Sequence, residues 1–186
     1  AIARLEALTR ITGPEASLEL ALQHANVERR GLLGGAYKRL AVCLARGATP
    51  GSNWPVVKAE LERAQAVYLA GERPAASPDF DLYTAINRLQ FAALTGASDA
   101  ANGIRLAETC QTVARQRFAA SGDFFDAIGP ADALLAIRLL DGRLVGSVDE
   151  IARTYREAAQ GVSSSLRQFN SVVSHLRMLA DLVRAR

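Results

Sequence analysis

The chain has 186 residues, of which 49% are hydrophobic but only 6% are aromatic. This length suffices for one domain with a substantial core, or for an array of roughly three or four helical hairpins. Alanine and leucine dominate the apolar residues, which favours closely packed helices over sheets. No apolar stretch reaches the length of a membrane span and no segment resembles a secretory signal, so we expect a cytoplasmic protein without membrane contact.

The formal net charge of +3 does not by itself indicate a nucleic-acid-binding protein. The basic residues are scattered among carboxylates, and lysine occurs only at Lys38 and Lys58. No recognition-helix motif and no platform of alternating aromatic and basic residues accompanies them. The charge pattern therefore argues against nucleic acid as the partner.

The first twenty-odd residues predict two short helices. Apolar residues recur at three-residue spacing over residues 2–12, which is typical of an amphipathic helix. Gly13 and Pro14 interrupt it, and Pro14 can open a second helix that ends near His24. Since His24 has no ligand partner nearby, we interpret it as a helix-end residue that interacts with terminal carbonyl groups.

Residues 26–47 predict a longer helix, around which the rest of the chain is expected to be arranged. Asn26 is a good cap for its start, and Gly47 can end it. Gly34 and Gly35 lie in its middle, where each glycine costs about 1 kcal/mol relative to alanine. A second helix that lies too close for a side chain explains the pair best, so the sequence predicts tight helix-on-helix packing here.

The same helix contains the core of the tetratricopeptide signature, L-G-x2-Y, as Leu33, Gly34 and Tyr37. Leu33 and Tyr37 lie one turn apart on one face, while Gly34 admits the partner helix. The A-x3-F half of the signature falls on Ala64 and Tyr68, farther along the chain than a standard repeat of about 34 residues allows. The pattern predicts a tetratricopeptide-like helical hairpin with a lengthened first helix and a loop.

Three more helices are predicted in the middle of the chain. They cover about residues 52–70, 77–94 and 98–120, and the last of them ends before Gly122. Asn87 lies inside the second, where asparagine is unfavourable. Its amide therefore either forms hydrogen bonds within the fold or faces a groove where a ligand can use it.

Residues 123–140 resume as helix, but Gly129 and Pro130 are expected to break or kink it before residue 131. Three large apolar side chains precede this point. We interpret them as core residues in preference to a cofactor site: Phe124, Phe125 and Ile128.

Two capping boxes, Ser147-x-x-Glu150 and Ser165-x-x-Gln168, predict the last two helices. His175 in the final helix has no metal partner at helical spacing and is predicted to be structural. The final helix also carries a broad apolar face that either closes the array or binds a partner. That face consists of Leu166, Phe169, Val172, Val173, Leu176, Leu179 and Leu182.

Three segments resemble a bacterial family of tetratricopeptide-containing proteins: residues 28–41 (ERRGLLGGAYKRLA), 83–87 (YTAIN) and 171–179 (SVVSHLRML). That family is similar to the TRAF-binding region of the apoptosis signal-regulating kinases. The proline that usually follows the tyrosine of the second segment is missing here. Because such helical regions often accompany a caspase-like, TIR or other effector module, the resemblance implies a regulatory or interaction segment, with an effector domain elsewhere in the polypeptide.

These patterns predict an all-α fold of about seven or eight helices. We expect antiparallel hairpins stacked as a short right-handed tetratricopeptide-like solenoid, with a compact helical bundle as the alternative. Residues 1–186 should form one helical domain that belongs to a larger polypeptide.

For function, the sequence favours a non-catalytic interaction or regulatory module, with a small-molecule-sensing domain as the alternative. An enzyme is disfavoured because no nucleophile is paired with a base, and no cofactor or metal site is indicated. Cys43 and Cys110 stand alone on predicted helices, so we expect both to be small buried residues.

The resemblance to tetratricopeptide arrays also suggests a binding surface, because the first helix of each hairpin lines their concave face. It places Lys38, Arg39, Asn87 and Arg88 at groove-facing positions. Such a basic and amide-bearing strip suits an acidic peptide or a chain-terminal carboxylate, to which these groups donate several hydrogen bonds. The alternative is that Lys38 and Arg39 belong to an ordinary solvated helix edge.

Overall fold

The computed structural model describes residues 2–9, 16–47, 51–77, 79–97 and 99–186, with the backbone alone for residues 9 and 16–26. These residues form eight α-helices and no strand, so the prediction of an all-α fold is confirmed. A 3-10 turn at Val145–Ser147 precedes α7. The helices are α1 Ile2–Thr9, α2 Ala16–Arg46, α3 Trp54–Gly71, α4 Leu82–Thr95, α5 Ala100–Ser121, α6 Phe124–Leu140, α7 Val148–Gln160 and α8 Leu166–Ala185.

Helix α2 is longer than predicted. The expected boundary at Asn26 is wrong, because α2 runs without interruption from Ala16 to Arg46. Strong helix formers, mainly alanine, leucine and glutamate, flank Asn26 on both sides, so one unfavourable residue costs less than ending and recapping a helix. Gly13, Pro14 and the side chain of His24 lie outside the described residues.

Gly34 marks the close approach between α2 and α3. A Cβ atom on Gly34 would lie within 2.7 Å of both Cδ1 and Cζ of the buried Tyr68 ring. A Cβ atom on Gly35 would meet only the Arg39 guanidinium, at 3.8 Å. The prediction of tight packing is thus confirmed for Gly34, and it is wrong for Gly35. Ala64 of the second half-signature is also fully buried, on the same helix as Tyr68.

Aspartates cap the starts of three consecutive helices. Asp81, Asp99 and Asp123 each accept hydrogen bonds from two backbone N–H groups in the first turn of α4, α5 and α6. Gly96 and Gly122 end α4 and α5 in the left-handed conformation. The predicted helices at 77–94, 98–120 and 123–140 overlap α4, α5 and α6, and the largest difference is at the start of α4, which lies at Leu82.

Helix α6 continues through Pro130, so the predicted break after Gly129 is wrong. A Cβ atom on Gly129 would lie 2.7 Å from the Cβ atom of Ala114 on α5, which shows how closely the two helices pack. The Gln111 side chain of α5 also donates to the carbonyl of Pro130. Contacts with α5 on this face stabilise α6 across a proline that would end an isolated helix.

The two predicted capping boxes differ in outcome. Ser165 and Gln168 form the reciprocal hydrogen bonds at the start of α8, which confirms the second box. Ser147 makes no such bond at the start of α7, although α7 occupies the predicted range. The first box is therefore wrong, because Glu150 instead accepts hydrogen bonds from Arg138 on α6.

Each helix from α1 to α6 packs on the next one along the chain, α4 also packs on α6, and α8 returns to pack on α2. Arg46 on α2 forms an ion pair with Asp181 on α8, at 2.7 Å between nitrogen and oxygen. Leu179 and Leu182 are buried, whereas Leu166 and Phe169 at the start of α8 are exposed. The predicted apolar face of α8 thus leaves Leu166 and Phe169 exposed and packs against the core from Val172 onwards.

Two side chains that were predicted to be buried are exposed. Cys43 is exposed because α3 packs against the α2 face that holds Leu33 and Ala41, and Cys43 projects from another face. Phe125 is half exposed, whereas its neighbour Phe124 is buried as predicted. Cys110 is buried in agreement with the sequence. No helix among the described residues is both long and apolar enough to cross a membrane.

Candidate binding site between helices α2, α4, α6 and α8

Lys38 of α2 is a nearly buried cation with neutral partners. Its side chain is 9% exposed, and its ammonium group donates to the Tyr83 hydroxyl at 2.7 Å and to Asn87 Oδ1 at 3.1 Å. Among the described residues no carboxylate oxygen lies within 4.0 Å of the ammonium nitrogen. An ammonium group has three donors, so one N–H remains for a further acceptor.

Asn87 holds this arrangement together from within α4. It is 2% exposed, and its amide nitrogen donates to the backbone carbonyl of Tyr83 at 2.7 Å. The amide oxygen is thereby turned towards Lys38. Asn87 is therefore part of the fold and also positions the cation, so it partly combines the two alternatives that the sequence left open.

A cavity of about 420 Å³ lies beside Lys38, and we call it the Lys38 cavity. It opens between α2, α4 and α8, and its size is that of a small-ligand site. Three arginine or lysine side chains line it, of which Arg46 is paired with Asp181. The lining residues are Lys38, Arg39, Val42, Cys43, Arg46, Tyr83, Ser171, Ser174, His175 and Met178.

A second cavity of about 410 Å³ adjoins the first, because Tyr83 and Ser171 line both. We call it the Asp132 cavity. Its lining contains three carboxylates against one arginine, so its charge is opposite to that of the Lys38 cavity. The lining residues are Asp81, Leu82, Tyr83, Ile86, Arg117, Phe125, Asp126, Gly129, Asp132 and Ser171.

Asp132 is half-buried and contacts residues of α4 and α7. Oδ1 of its carboxylate accepts a hydrogen bond from the Tyr155 hydroxyl of α7, and no described residue donates to Oδ2. Burial raises the pKa of Asp132 to about 6, although the hydrogen bond from Tyr155 and the charge of Lys38 both lower it. Removal of the carboxylate from water is therefore the dominant influence on its ionisation.

A hydrogen-bonded chain connects α6 to α8 through a fully buried glutamine of α4. Gln90 donates to the backbone carbonyl of Asp132 at 3.2 Å, so its oxygen is free to accept from His175 Nε2 at 2.9 Å. His175 Nδ1 is buried and has no partner among the described residues. Burial, and next the charge of Lys38, lower the pKa of His175 to about 3, so the ring is neutral near pH 7.

The structure brings together some of the residues that the sequence proposed as a binding strip. Lys38 and Asn87 are in contact, and Arg39 lines the same cavity with its side chain exposed. Arg88 lies elsewhere. It lines a different depression and forms a two-fold hydrogen-bonded ion pair with Glu72, at 2.7 and 2.9 Å.

Sequence reasoning missed Gln90, Asp132 and Tyr155, and it treated His175 only as a structural residue. One signal was available for Asp132. Its carboxylate stands in the apolar run from Ala131 to Ile137, where a charged residue on a buried helix calls for an explanation. Nothing in the sequence indicated that Gln90 would link it to His175.

No group of three or more histidine, cysteine, aspartate or glutamate residues within the described part of the chain could hold a metal ion. No protein-family model, no curated protein and no solved structure matches the chain.

Proposed function

We propose that the chain is a non-catalytic interaction or regulatory module of a larger signalling or effector protein. In this proposal the Lys38 cavity captures an acidic peptide or a chain-terminal carboxylate. The resemblance of residues 28–41, 83–87 and 171–179 to bacterial tetratricopeptide-containing proteins supports an interaction role. The environment of Lys38 supports the anionic character of the partner.

An ammonium group that is removed from water needs compensation, and neutral acceptors give less of it than an anion does. Lys38 has two neutral acceptors and one N–H to spare, and Arg39 adds a solvent-exposed positive charge at the same cavity. A carboxylate placed there would accept from the ammonium and be attracted by the guanidinium. This unpaired cation beside an open cavity is the observation on which the proposal depends.

The finer architecture is part of the same proposal. We infer that α2 to α7 stack as a short right-handed tetratricopeptide-like solenoid and that α8 closes the concave side of this stack by packing on α2. In a simple linear array each repeat contacts only its neighbours, so the packing of α8 on α2 favours a compact variant. Small-angle X-ray scattering tests this, because an elongated, curved particle would contradict closure by α8.

The chain offers a matched control for the binding experiment, since its two lysines differ in environment. Lys58 lies on α3 and pairs with Glu62 on the surface, at 3.8 Å. A fluorescein-labelled peptide of alternating alanine and glutamate, with a free carboxyl end, serves as the probe in fluorescence polarisation. We expect Lys38→Met to weaken binding about tenfold or more, and Lys58→Met to leave it unchanged.

Two more substitutions delimit the site. Arg39→Ala should also weaken binding, and the affinity of the unmodified chain should fall as salt rises. Arg88→Ala tests whether the site extends to the depression beside Glu72 or is limited to Lys38, Arg39 and Asn87. Melting temperatures are measured for every variant. Equal affinity of the Lys38→Met and Lys58→Met variants would refute the proposal.

A second function, the sensing of a small molecule, is favoured by the two adjoining cavities. Each of them, at 410 and 420 Å³, falls within the size range of small-molecule sites. A polar metabolite would then occupy the site in place of a peptide. A screen of small carboxylates by thermal shift would show this function, because a ligand that binds the folded state raises the melting temperature.

A further inference from the structure

The Asp132 cavity complements a positive charge. Asp81 and Asp126 line it together with Asp132, whereas Arg117 is the one basic residue of its described lining. Asp81 is engaged at the start of α4, where it accepts from two backbone N–H groups. Arg117 donates to the backbone carbonyl of Phe80 at 2.7 Å. Even with that arginine present, the carboxylates are in excess.

Asp132 offers a ligand an acceptor inside this cavity. The residue is half-buried, only Oδ1 of its carboxylate has a hydrogen-bond donor among the described residues, and no described lysine or arginine nitrogen comes within 4.0 Å of it. A carboxylate in such surroundings is normally paired with a cation. Tyr155, the group that does contact it, is a neutral phenol. The charge of Lys38 acts on Asp132 only from beyond 4.0 Å, so Oδ2 is an acceptor that no described cation contacts.

An aromatic ring at the same cavity strengthens this assignment. Phe125 is 50% exposed and lines the Asp132 cavity, whereas the ring of Tyr83 already has the Lys38 ammonium 5.0 Å from its centroid. Exposed aromatic faces attract ammonium and guanidinium groups through the ring quadrupole. Carboxylates combined with aromatic rings suit an organic cation better than an inorganic one, since a metal ion would need several converging oxygen ligands.

The two cavities are neighbours with opposite charge, and Tyr83 belongs to both. We propose that they form one bipolar site for a ligand in which a short chain joins a carboxylate to an ammonium or guanidinium group. The carboxylate lies at Lys38 and Arg39, the chain of the ligand passes Tyr83 and Ser171, and the cation lies at Asp132. This chemistry occurs in a peptide that ends in lysine or arginine and in the free basic amino acids.

This inference rests on the proposed capture of a carboxylate at Lys38, and it adds the second charge. Four probes separate the two ideas: acetyl-Ala-Ala-Ala-Lys with a free carboxyl end, the same peptide with norleucine in place of lysine, the amidated lysine peptide, and free lysine. Norleucine keeps the shape of the lysine side chain but lacks its charge. Affinities are measured by isothermal titration calorimetry on the 186-residue chain.

We expect the lysine peptide to bind about tenfold tighter than the norleucine peptide, because only its ammonium group can form a charge-assisted hydrogen bond with Asp132. Asp132→Asn should abolish that preference while it leaves the affinity for the norleucine peptide unchanged. Asp149→Asn, an exposed position on α7, is the matched control and should keep the preference. Free lysine that binds as tightly as the peptide would support the bipolar site and identify an amino acid as the ligand.

Different results overturn the two proposals. Equal affinity for the lysine and norleucine peptides, both dependent on Lys38, would refute the bipolar site and leave carboxylate capture intact. Equal affinity for the free and the amidated lysine peptides would refute carboxylate capture. The comparison of peptides on the unmodified chain needs no variant, so it stands even if Asp132→Asn fails to fold.

Discussion

The contact between Gly34 and Tyr68 can be tested by one substitution made at two neighbouring positions. Replacing a helix-interior glycine by alanine normally stabilises a protein by about 1 kcal/mol, because alanine restricts the unfolded chain. Gly34 and Gly35 both lie inside α2, so this gain should be nearly equal for the two. Any difference between Gly34→Ala and Gly35→Ala therefore reports what the new methyl group meets.

At Gly34 the methyl group would lie within 2.7 Å of Tyr68 ring atoms. That ring is 1% exposed and stacks on Phe91, with 6.3 Å between ring centroids, so it has little freedom to move. Overpacking of this kind costs about 1 to 3 kcal/mol. At Gly35 the nearest atom belongs to the flexible Arg39 side chain, at 3.8 Å, and no such cost arises.

We therefore expect Gly35→Ala to raise the free energy of unfolding by about 1 kcal/mol, and Gly34→Ala to lie about 1 to 3 kcal/mol below it. For a chain of this size, that gap corresponds to roughly 2 to 4 °C in melting temperature per kcal/mol. Urea unfolding followed by circular dichroism gives the free energies, and differential scanning calorimetry gives the temperatures.

A double-mutant cycle assigns the cost to its cause. Tyr68→Leu removes the ring atoms that the new methyl group would meet, so Gly34→Ala should be less harmful in that background, with a coupling of about 1 to 2 kcal/mol. Equal stability of the two alanine variants would show that α3 does not pack closely against Gly34.

Four further outcomes follow from the burial or exposure of polar groups and thiols. Tyr68→Phe should leave stability unchanged or raise it, since the Tyr68 hydroxyl is buried without a partner among the described residues; a clear loss in urea unfolding would contradict this. Asp132→Asn should stabilise the fold at pH 7 by up to about 3 kcal/mol. Burial raises the pKa of Asp132 from 3.8 to about 6, so ionisation of this carboxyl destabilises the folded state. The stability that the protonated carboxyl gives the fold below pH 4 is therefore lost as the pH rises through 6. Burial shifts the pKa of His175 the opposite way, to about 3, so the stability that neutral His175 gives the fold is lost as the pH falls below 6.5. Protonation of Asp132 offsets part of this loss in the unmodified chain. The free energy of unfolding should therefore fall more steeply from pH 7 to pH 4 in the Asp132→Asn variant. Cys43 should react with a thiol reagent in the folded protein, whereas Cys110, buried and with its pKa raised to about 12, should react only after unfolding, as mass spectrometry of the labelled peptides can show.

Much of the local structure could be predicted from the sequence because it depends on neighbouring residues. Helix periodicity and capping groups such as Ser165 with Gln168 placed most helices correctly. The signature that joins Gly34 to Tyr68 even indicated one tertiary contact, since a glycine inside a helix is costly unless something packs against it.

The same local rules gave wrong results where packing outweighed them. Pro130 stays inside α6 because α5 packs closely against Gly129 and supports the helix from outside. The Glu150 side chain pairs with Arg138 of another helix and does not accept from the Ser147 N–H, which donates to the carbonyl of Leu144. In both cases a contact with a residue on another helix determined the local structure more strongly than the neighbouring residues did. The sequence pattern contained no information about that contact.

The candidate site depends most on tertiary structure. The sequence indicated Lys38 and Asn87, which do meet, but adjacent residues on a helix point about 100° apart, so Arg88 faces another depression. Gln90, Asp132 and His175 come from three different helices: the first contact arises where α4 packs on α6, and the second where α8 reaches Gln90. Sequence determined which helices form; their packing decided which charges share a cavity, because partners for buried polar groups are found across helices rather than along them.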